Sequence, residues 1–292
     1  MILLDGKAVA QKIRNEIHLS LKSFLPKKPG LAFILVGQHE PSLAYVKMKM
    51  KGCEEVGIIS KVHHLDEKTK TQSLLDLVEA LNEDPSVDGI LIQQPLPIHL
   101  DSHKVLLAIN PQKDVDGFHP LNLGKMLMQD SSGFLPCTPF GILELLAHYQ
   151  LDFDGKQVVI LGRSLIVGRP LANMLSQKRN FCNATVTLCH SGTKNLKEIT
   201  KTADLLIAAC GIAHFIKEEM VKEEAVVIDV GINRIFNGEK LIITGDVDFE
   251  NVKKKAKALT PVPYGIGPMT IAMLLQNTQT SFLRKLSSSH FS

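Results

Sequence analysis

QVVILGRSLIVGRPLANML, residues 157–175, is the stretch that decides the fold. Residues 158–161 form a short, wholly apolar run that reads as a buried strand. A glycine turn follows, then an apolar-periodic segment with the spacing of a helix. Strand, glycine turn and helix together present bare backbone N–H groups and a helix N-terminus to a phosphate. Gly162 and Gly168 matter because a residue without Cβ lets the backbone approach a pyrophosphate closely. Between them stand Arg163, Ser164, Leu165, Ile166 and Val167, with none of the further glycine that the common fingerprint carries. On spacing alone, an ordinary tight strand-to-helix connection reads the same way.

The next strand, residues 184–189, ends in His190-Ser191. An NAD site usually carries an acid there to hold the ribose 2′-hydroxyl. Here no acid stands at that end, and Arg163 sits in the turn. A guanidinium that forks onto phosphate oxygens, with a serine hydroxyl beside it, accepts a 2′-phosphate. The cofactor expected is therefore NADP. The competing view of His190 is a strand-end residue without a role.

The chain has 292 residues, which is long for one core and comfortable for two domains. Apolar residues make up 45%, the proportion of a soluble globular protein of enzyme size. A net charge of +3 is too small to imply a nucleic-acid partner. Lys253, Lys254, Lys255 and Lys257 read as a solvated helix face. No apolar run approaches the ~20 residues of a membrane span, and no signal peptide is expected at the start. The five cysteines include no C-x-x-C pair, so a reducing cytoplasm is the natural setting. No histidine motif points to a metal. Gly117 to Gly124-Lys125 resembles a P-loop, but its spacing is too long and Met126 replaces the required hydroxyl residue.

Strand-like and helix-like segments alternate almost throughout. Strands are expected over 31–36, 58–64, 87–93, 184–189, 205–208 and 225–230, with helices over about 42–56, 71–81 and from 140. Such alternation builds parallel sheets through right-handed crossovers. Asn237-Gly238 reads as a hairpin turn that adds a β-ribbon after the last core strand. The Pro- and Gly-rich stretch 111–139 and the cluster 261–268 mark two crossings between domains. The fold expected is α/β: a substrate domain of residues 1–137 plus 268–292, closed by a final helix over about 269–283. A Rossmann-like NADP-binding domain of residues 138–267 lies between, with a ligand cleft where the two meet.

Three pieces of the first domain could do chemistry. Tyr45 and Lys49 are four apart and share one helical face. A lysine desolvated there can accept a proton near neutral pH, although the neighbouring lysines Lys47, Lys51 and Lys61 would equally suit a wet helix. Gln93-Gln94-Pro95-Leu96-Pro97 follows a strand directly, where open α/β sheets bind ligands; an inert loop start is the alternative. In Asp114-Val115-Asp116-Gly117-Phe118, two acids end in glycine. One carboxylate could take two N–H donors from an amidine-like ring edge, or an Asx turn could simply hold its own backbone.

Taken in order, these pieces form a series with PCTP at 136–139, GRSLIVGRP, TLCHS, VIDVGIN at 227–233, GDV at 245–247 and PVPYGIGPMT at 261–270. The series closely resembles the bifunctional methylenetetrahydrofolate dehydrogenase/methenyltetrahydrofolate cyclohydrolase family over about residues 4–283. The resemblance implies oxidation of 5,10-methylenetetrahydrofolate with NADP, then hydrolysis to 10-formyltetrahydrofolate, in a cytoplasmic homodimer. It implies that Lys49 is essential for hydrolysis, that Gln93 holds Lys49, that Tyr45 packs on the substrate and that Asp116 binds the pterin edge. Pro263 and Gly267 join the substrate site. Gly162, Arg163, Ser164, Gly168, His190, Ser191, Gly211, Ile232 and Thr138 are the implied cofactor contacts. Five positions depart from the pattern: Glu40 and Pro41 before Ser42, Gln94 where leucine is usual, Leu165 where a polar residue is common, and Tyr264 where glycine is more common. The rival readings are another two-domain NADP dehydrogenase of the shikimate type, and a catalytically silent folate or nucleotide binder.

Overall fold

The computed structural model describes residues 1–237 and 240–288 of the chain. It divides into two compact units: Met1–Ala10 with Thr138–Thr270, and Gln11–Cys137 with Ile271–Ser292.

The first unit is built on six strands that pair in parallel throughout, in the order Thr185–Cys189, Gln157–Leu161, Leu205–Ala208, Val226–Asp229, Ala258–Leu259, Ile2–Leu3. The middle strands are buried along their whole length, which is why they run Leu-Leu-Ile-Ala and Val-Val-Ile-Asp, apolar up to the final position, rather than alternating. The chain's first residues join this sheet because Ile2 and Leu3 pair with Ala258 and Leu259. They therefore stand apart from the substrate domain expected over 1–137; a two-residue edge strand carries too little pattern to reveal its sheet. From Gln157–Leu161 the chain turns first to one side, to Thr185–Cys189, and then to the other, to Leu205–Ala208. The point of reversal leaves a crevice outside the carboxyl ends of Gln157–Leu161 and Leu205–Ala208, where doubly wound sheets bind nucleotides. Asn233–Asn237 and Lys240–Thr244 pair antiparallel as the expected ribbon; its turn residue Gly238 lies outside the described residues.

The second unit has a smaller parallel sheet in the order Ile59–Leu65, Gly30–Val36, Gly89–Ile92. Gly30–Val36 is central and wholly buried, whereas Ile59–Leu65 lies at an edge and is half exposed. Ala32, Ile34, Val36, Ile90 and Ile92 pack on Leu74, Val78 and Leu81 of the helix Thr71–Glu83. Lys113 closes that helix by donating to the Leu81, Asn82 and Asp84 carbonyls at 2.9, 2.6 and 2.8 Å. The long helix Ile266–Ser288 starts earlier and ends later than expected. Its Ile271 and Leu275 meet the helix Glu40–Val56 at Gly52, where a side chain would have little room.

Candidate active site and cofactor site

In the second unit, the helix Glu40–Val56 buries Ser42, Val46, Cys53 and Val56 along one stripe. Lys49 falls in the same stripe, between Val46 and Cys53. Lys47 and Lys51 point away and are exposed, so the wet-helix reading holds for them but not for Lys49. Tyr45 lies one turn before Lys49 on the same helix and is partly buried.

The strand Gly89–Ile92 delivers Gln93 to the same place. The Gln93 backbone N–H donates to the Ile34 carbonyl at 2.9 Å and so continues the ladder past the strand's end. Its side chain accepts from Lys49 Nζ at 3.0 Å and donates to the Gln94 carbonyl at 2.7 Å. The second amide, Gln94, is exposed and accepts from the Leu96 N–H at 3.2 Å, so it serves its own loop.

The two acids of the Asp114–Gly117 turn divide the work. Asp114 is buried and accepts from the N–H groups of Gly117, Phe118 and His119 at 3.2, 3.3 and 2.7 Å, and from Asn122 at 2.8 Å. It builds the turn. A parallel bridge between Asp114 and Ile90 lays this turn beside the strand that carries Gln93. Asp116 is left to face Lys49 and the Cys137 thiol.

Burial governs the charges here. Loss of solvent pushes the Lys49 pKa down from its ordinary value, opposed chiefly by the negative charge of Asp116. Burial pushes Asp116 up, opposed by Lys49 and by the Cys137 hydrogen bond. Asp114 rises to about 6 through burial, against its hydrogen bonds. The Cys137 thiol, buried and close to Asp116, is pushed well above its usual range. It is a structural hydrogen-bonding group rather than a nucleophile. The cluster therefore combines an amine biased toward its neutral form, an amide that orients it and a carboxylate. That set can take a proton from water and hold an N–H-bearing ring edge.

Sequence reasoning passed over Asn277. Its buried amide donates to the Val115 and Leu135 carbonyls at 2.9 and 3.1 Å, pinning the segments that lead into Asp116 and Cys137. The one signal was a second polar amide, after Gln276, just past the apolar run 271–275.

The first unit places the glycine turn at the sheet's point of reversal. Gly162 has φ +119°, and a Cβ there would overlap the Ala209 carbonyl; one at Gly168 would overlap the Gly162 carbonyl. The turn is thus a close-packed backbone cradle that side chains would fill, and it fits a pyrophosphate. Ser164 Oγ accepts from the Val167 and Gly168 N–H groups at 3.1 and 3.4 Å, capping the helix Gly168–Ser176 and leaving its own proton to donate outward. Arg163 and Ser191 are exposed. His190 Nδ1 accepts from the Gly192 N–H at 3.1 Å, which assigns the ring proton to Nε2 as a second donor at that strand end. The donor set suits a 2′-phosphate. Gly211 follows the strand Leu205–Ala208 with φ +69°, and Ile232 is half exposed after Val226–Asp229. Thr138 shares a hydrogen bond of 2.9 Å with Thr270. Pro263 and Gly267 also belong to this unit, apart from the unit that holds Lys49. Between them Tyr264 has φ +85°, a backbone conformation that favours glycine, with its ring exposed and the Lys7 ammonium 5.0 Å from the ring centre.

Residues 4–116 match the tetrahydrofolate dehydrogenase/cyclohydrolase catalytic domain, and residues 136–286 match the tetrahydrofolate dehydrogenase/cyclohydrolase NAD(P)-binding domain. The chain belongs to the tetrahydrofolate dehydrogenase/cyclohydrolase family. It is 52% identical to the bifunctional protein FolD of Prosthecochloris aestuarii over 291 residues, covering 97% of this chain and 99% of that one. The crystal structure of the bifunctional methylenetetrahydrofolate dehydrogenase/cyclohydrolase FolD from Campylobacter jejuni is 50% identical, with a TM-score of 0.92 over 98% of this chain and 99% of that one. The Trypanosoma brucei FolD structure, complexed with NADP and an inhibitor, is 34% identical with a TM-score of 0.92 over 98% of both chains. Shikimate dehydrogenase from Aquifex aeolicus, at 13% identity and a TM-score of 0.51, shares the fold alone. The tetrahydrofolate dehydrogenase/cyclohydrolase family, not the shikimate type, accounts for this chain. Among the described residues, no helix is long and apolar enough to cross a membrane.

Proposed function

We propose that this chain oxidises 5,10-methylenetetrahydrofolate to the methenyl cation and hydrolyses that cation to 10-formyltetrahydrofolate. The observation that carries the reading is Lys49, set in a buried helical stripe, donating to Gln93 at 3.0 Å with Asp116 close enough to influence its charge. Asp116 holds the pterin edge through two N–H donors, and Tyr45 packs on the substrate. Gln93 fixes the direction of the Lys49 lone pair. Lys49, as the free amine, takes the proton from water as its oxygen bonds to the methenyl carbon; the bond from that carbon to N5 then breaks, N5 takes a proton back, and the formyl group is left on N10.

NADP supplies the hydride acceptor for the oxidation. The cradle of Gly162 and Gly168 suits its pyrophosphate; Arg163, Ser164, His190 and Ser191 suit its 2′-phosphate end; Gly211, Ile232 and Thr138 are the remaining contacts. Hydride loss is driven by the neighbouring nitrogen of the substrate itself, so the protein's part in that step is alignment rather than proton removal. We assign folate binding to the unit of Lys49 and dinucleotide binding to the unit of Gly162. A silent binder would not need Tyr45, Lys49, Gln93 and Asp116 together.

The setting proposed is cytoplasmic, with no nucleic-acid partner and a homodimer as the working form. Phe236, Leu241 and Ile243 share one exposed face of the ribbon, apolar surface of the kind that pairs between copies. The test is a spectrophotometric assay with methylenetetrahydrofolate and NADP, following reduced cofactor and methenyl product together. Absence of both signals contradicts the proposal.

A further inference from the structure

At the carboxyl ends of Leu205–Ala208 and Val226–Asp229, two buried acids interlock. Asp246 Oδ2 accepts the Cys210 and Gly211 N–H groups at 2.7 and 2.9 Å, and Oδ1 accepts from Asn233 Nδ2 at 2.8 Å. Asp229 in turn accepts the N–H groups of Gly231, Asp246 and Val247 at 2.9, 3.0 and 2.9 Å, which fixes where Asp246 stands. The packing leaves no room for error: a Cβ at Gly231 would collide with the Asp246 carboxylate, and one at Gly245 with that of Asp229. One carboxylate therefore fastens two separate loops. The first, beginning at Ala209, is the wall of the reversal crevice against which Gly162 packs. The second carries Ile232.

We infer that Asp246 is a positioning residue for the dinucleotide, holding the Cys210-Gly211 wall and the Ile232 wall at the shape that receives it. The inference rests on the proposed function and goes beyond it, since Asp246 makes its bonds inward to the loops rather than to the ligand. Holding both walls before the ligand arrives lowers the ordering cost of binding. Asp246 spends both carboxylate oxygens on these loops, so its effect falls on cofactor affinity and not on the chemical step.

The Asn233 side of the clamp gives a test that avoids emptying the buried site. Asn233→Ala removes one anchor without adding charge. Asn233→Asp sets carboxylate against carboxylate, and adding Asp246→Asn restores a donor facing an acceptor. NADP binding is measured by isothermal titration on each variant after thermal melting confirms folding. Loss of a charge-assisted hydrogen bond weakens binding about tenfold in Asn233→Ala, more in Asn233→Asp, with recovery in the double variant. At saturating NADP, kcat and the KM for folate stay at parental values. If Asn233→Ala binds NADP like the parent, or the double variant fails to recover, the clamp is refuted while the functional reading stands. If the parent itself binds no NADP, both fall.

Discussion

Lys49 Nζ donates to Gln93 Oε1 at 3.0 Å, and these two side chains come from different kinds of element. One projects from the middle of a helix, the other from the first residue past a parallel strand. Neither segment can shift alone, because the helix is packed along Ser42, Val46, Cys53 and Val56 and the strand lies beside the wholly buried Gly30–Val36. The amine is thus aimed by the core itself.

That geometry sets a pH dependence for hydrolysis. In the proposed mechanism the working form of Lys49 is the free amine, so activity is expected to rise with pH as the ammonium loses its proton. Burial lowers the Lys49 pKa, which moves this rise below that of an exposed lysine. The Asp116 charge opposes the shift. Asp116→Asn is therefore expected to carry the activating limb to lower pH, read as hydrolytic kcat at saturating methenyl substrate across a pH series. A limb displaced to higher pH would show that Asp116 does not govern the amine.

Arg163 is the cation we propose for the 2′-phosphate. Arg163→Ala is expected to reduce the preference for NADP over NAD by about 10- to 100-fold, the range of a lost charge-assisted pair. The check is kcat/KM with each cofactor. A parent that uses NAD and NADP equally would overturn the 2′-phosphate reading.

Asp114 satisfies four donors with two oxygens. Asparagine offers one acceptor oxygen and would turn an N–H pair toward a donor. Asp114→Asn is expected to destabilise the fold by about 2 kcal/mol, measured by urea denaturation. Unchanged stability would mean that the turn is held by its neighbours instead.

Tyr264 adopts φ +85° with its ring exposed. Tyr264→Gly relieves the strained backbone, partly offset by loss of the Lys7 contact and by glycine's greater freedom when unfolded. The expected net gain in stability is about 1 kcal/mol. A loss of stability would assign the ring contact more weight than the backbone strain.

Much of this architecture was legible because its signals are local. The strand, glycine turn and helix at 157–175 can be read from apolar runs and two glycines, and Lys49 is legible once its place in the stripe 42–46–53–56 is seen. What escaped depended on contacts distant in sequence. Ile2–Leu3 is too short to announce its pairing with Ala258–Leu259. Asn277 and Asp246 act on loops in other parts of the chain, and no spacing rule connects them. The helix Pro120–Leu127 lay hidden in a Pro- and Gly-rich stretch, although its proline at the first turn and the His119 cap were a readable start. In the acid pair, residue type alone does not separate the two; the hydrogen bonds show that Asp114 is spent on its own turn.

Lys49 is proposed to serve hydrolysis and to be dispensable for hydride transfer. Its most direct test is Lys49→Met, assayed in parallel for reduced NADP and for methenyl hydrolysis. The expected result is measurable dehydrogenase with hydrolysis lowered by at least ~10²-fold, the usual worth of a general base. Hydrolysis at the parental rate in the folded variant would contradict it.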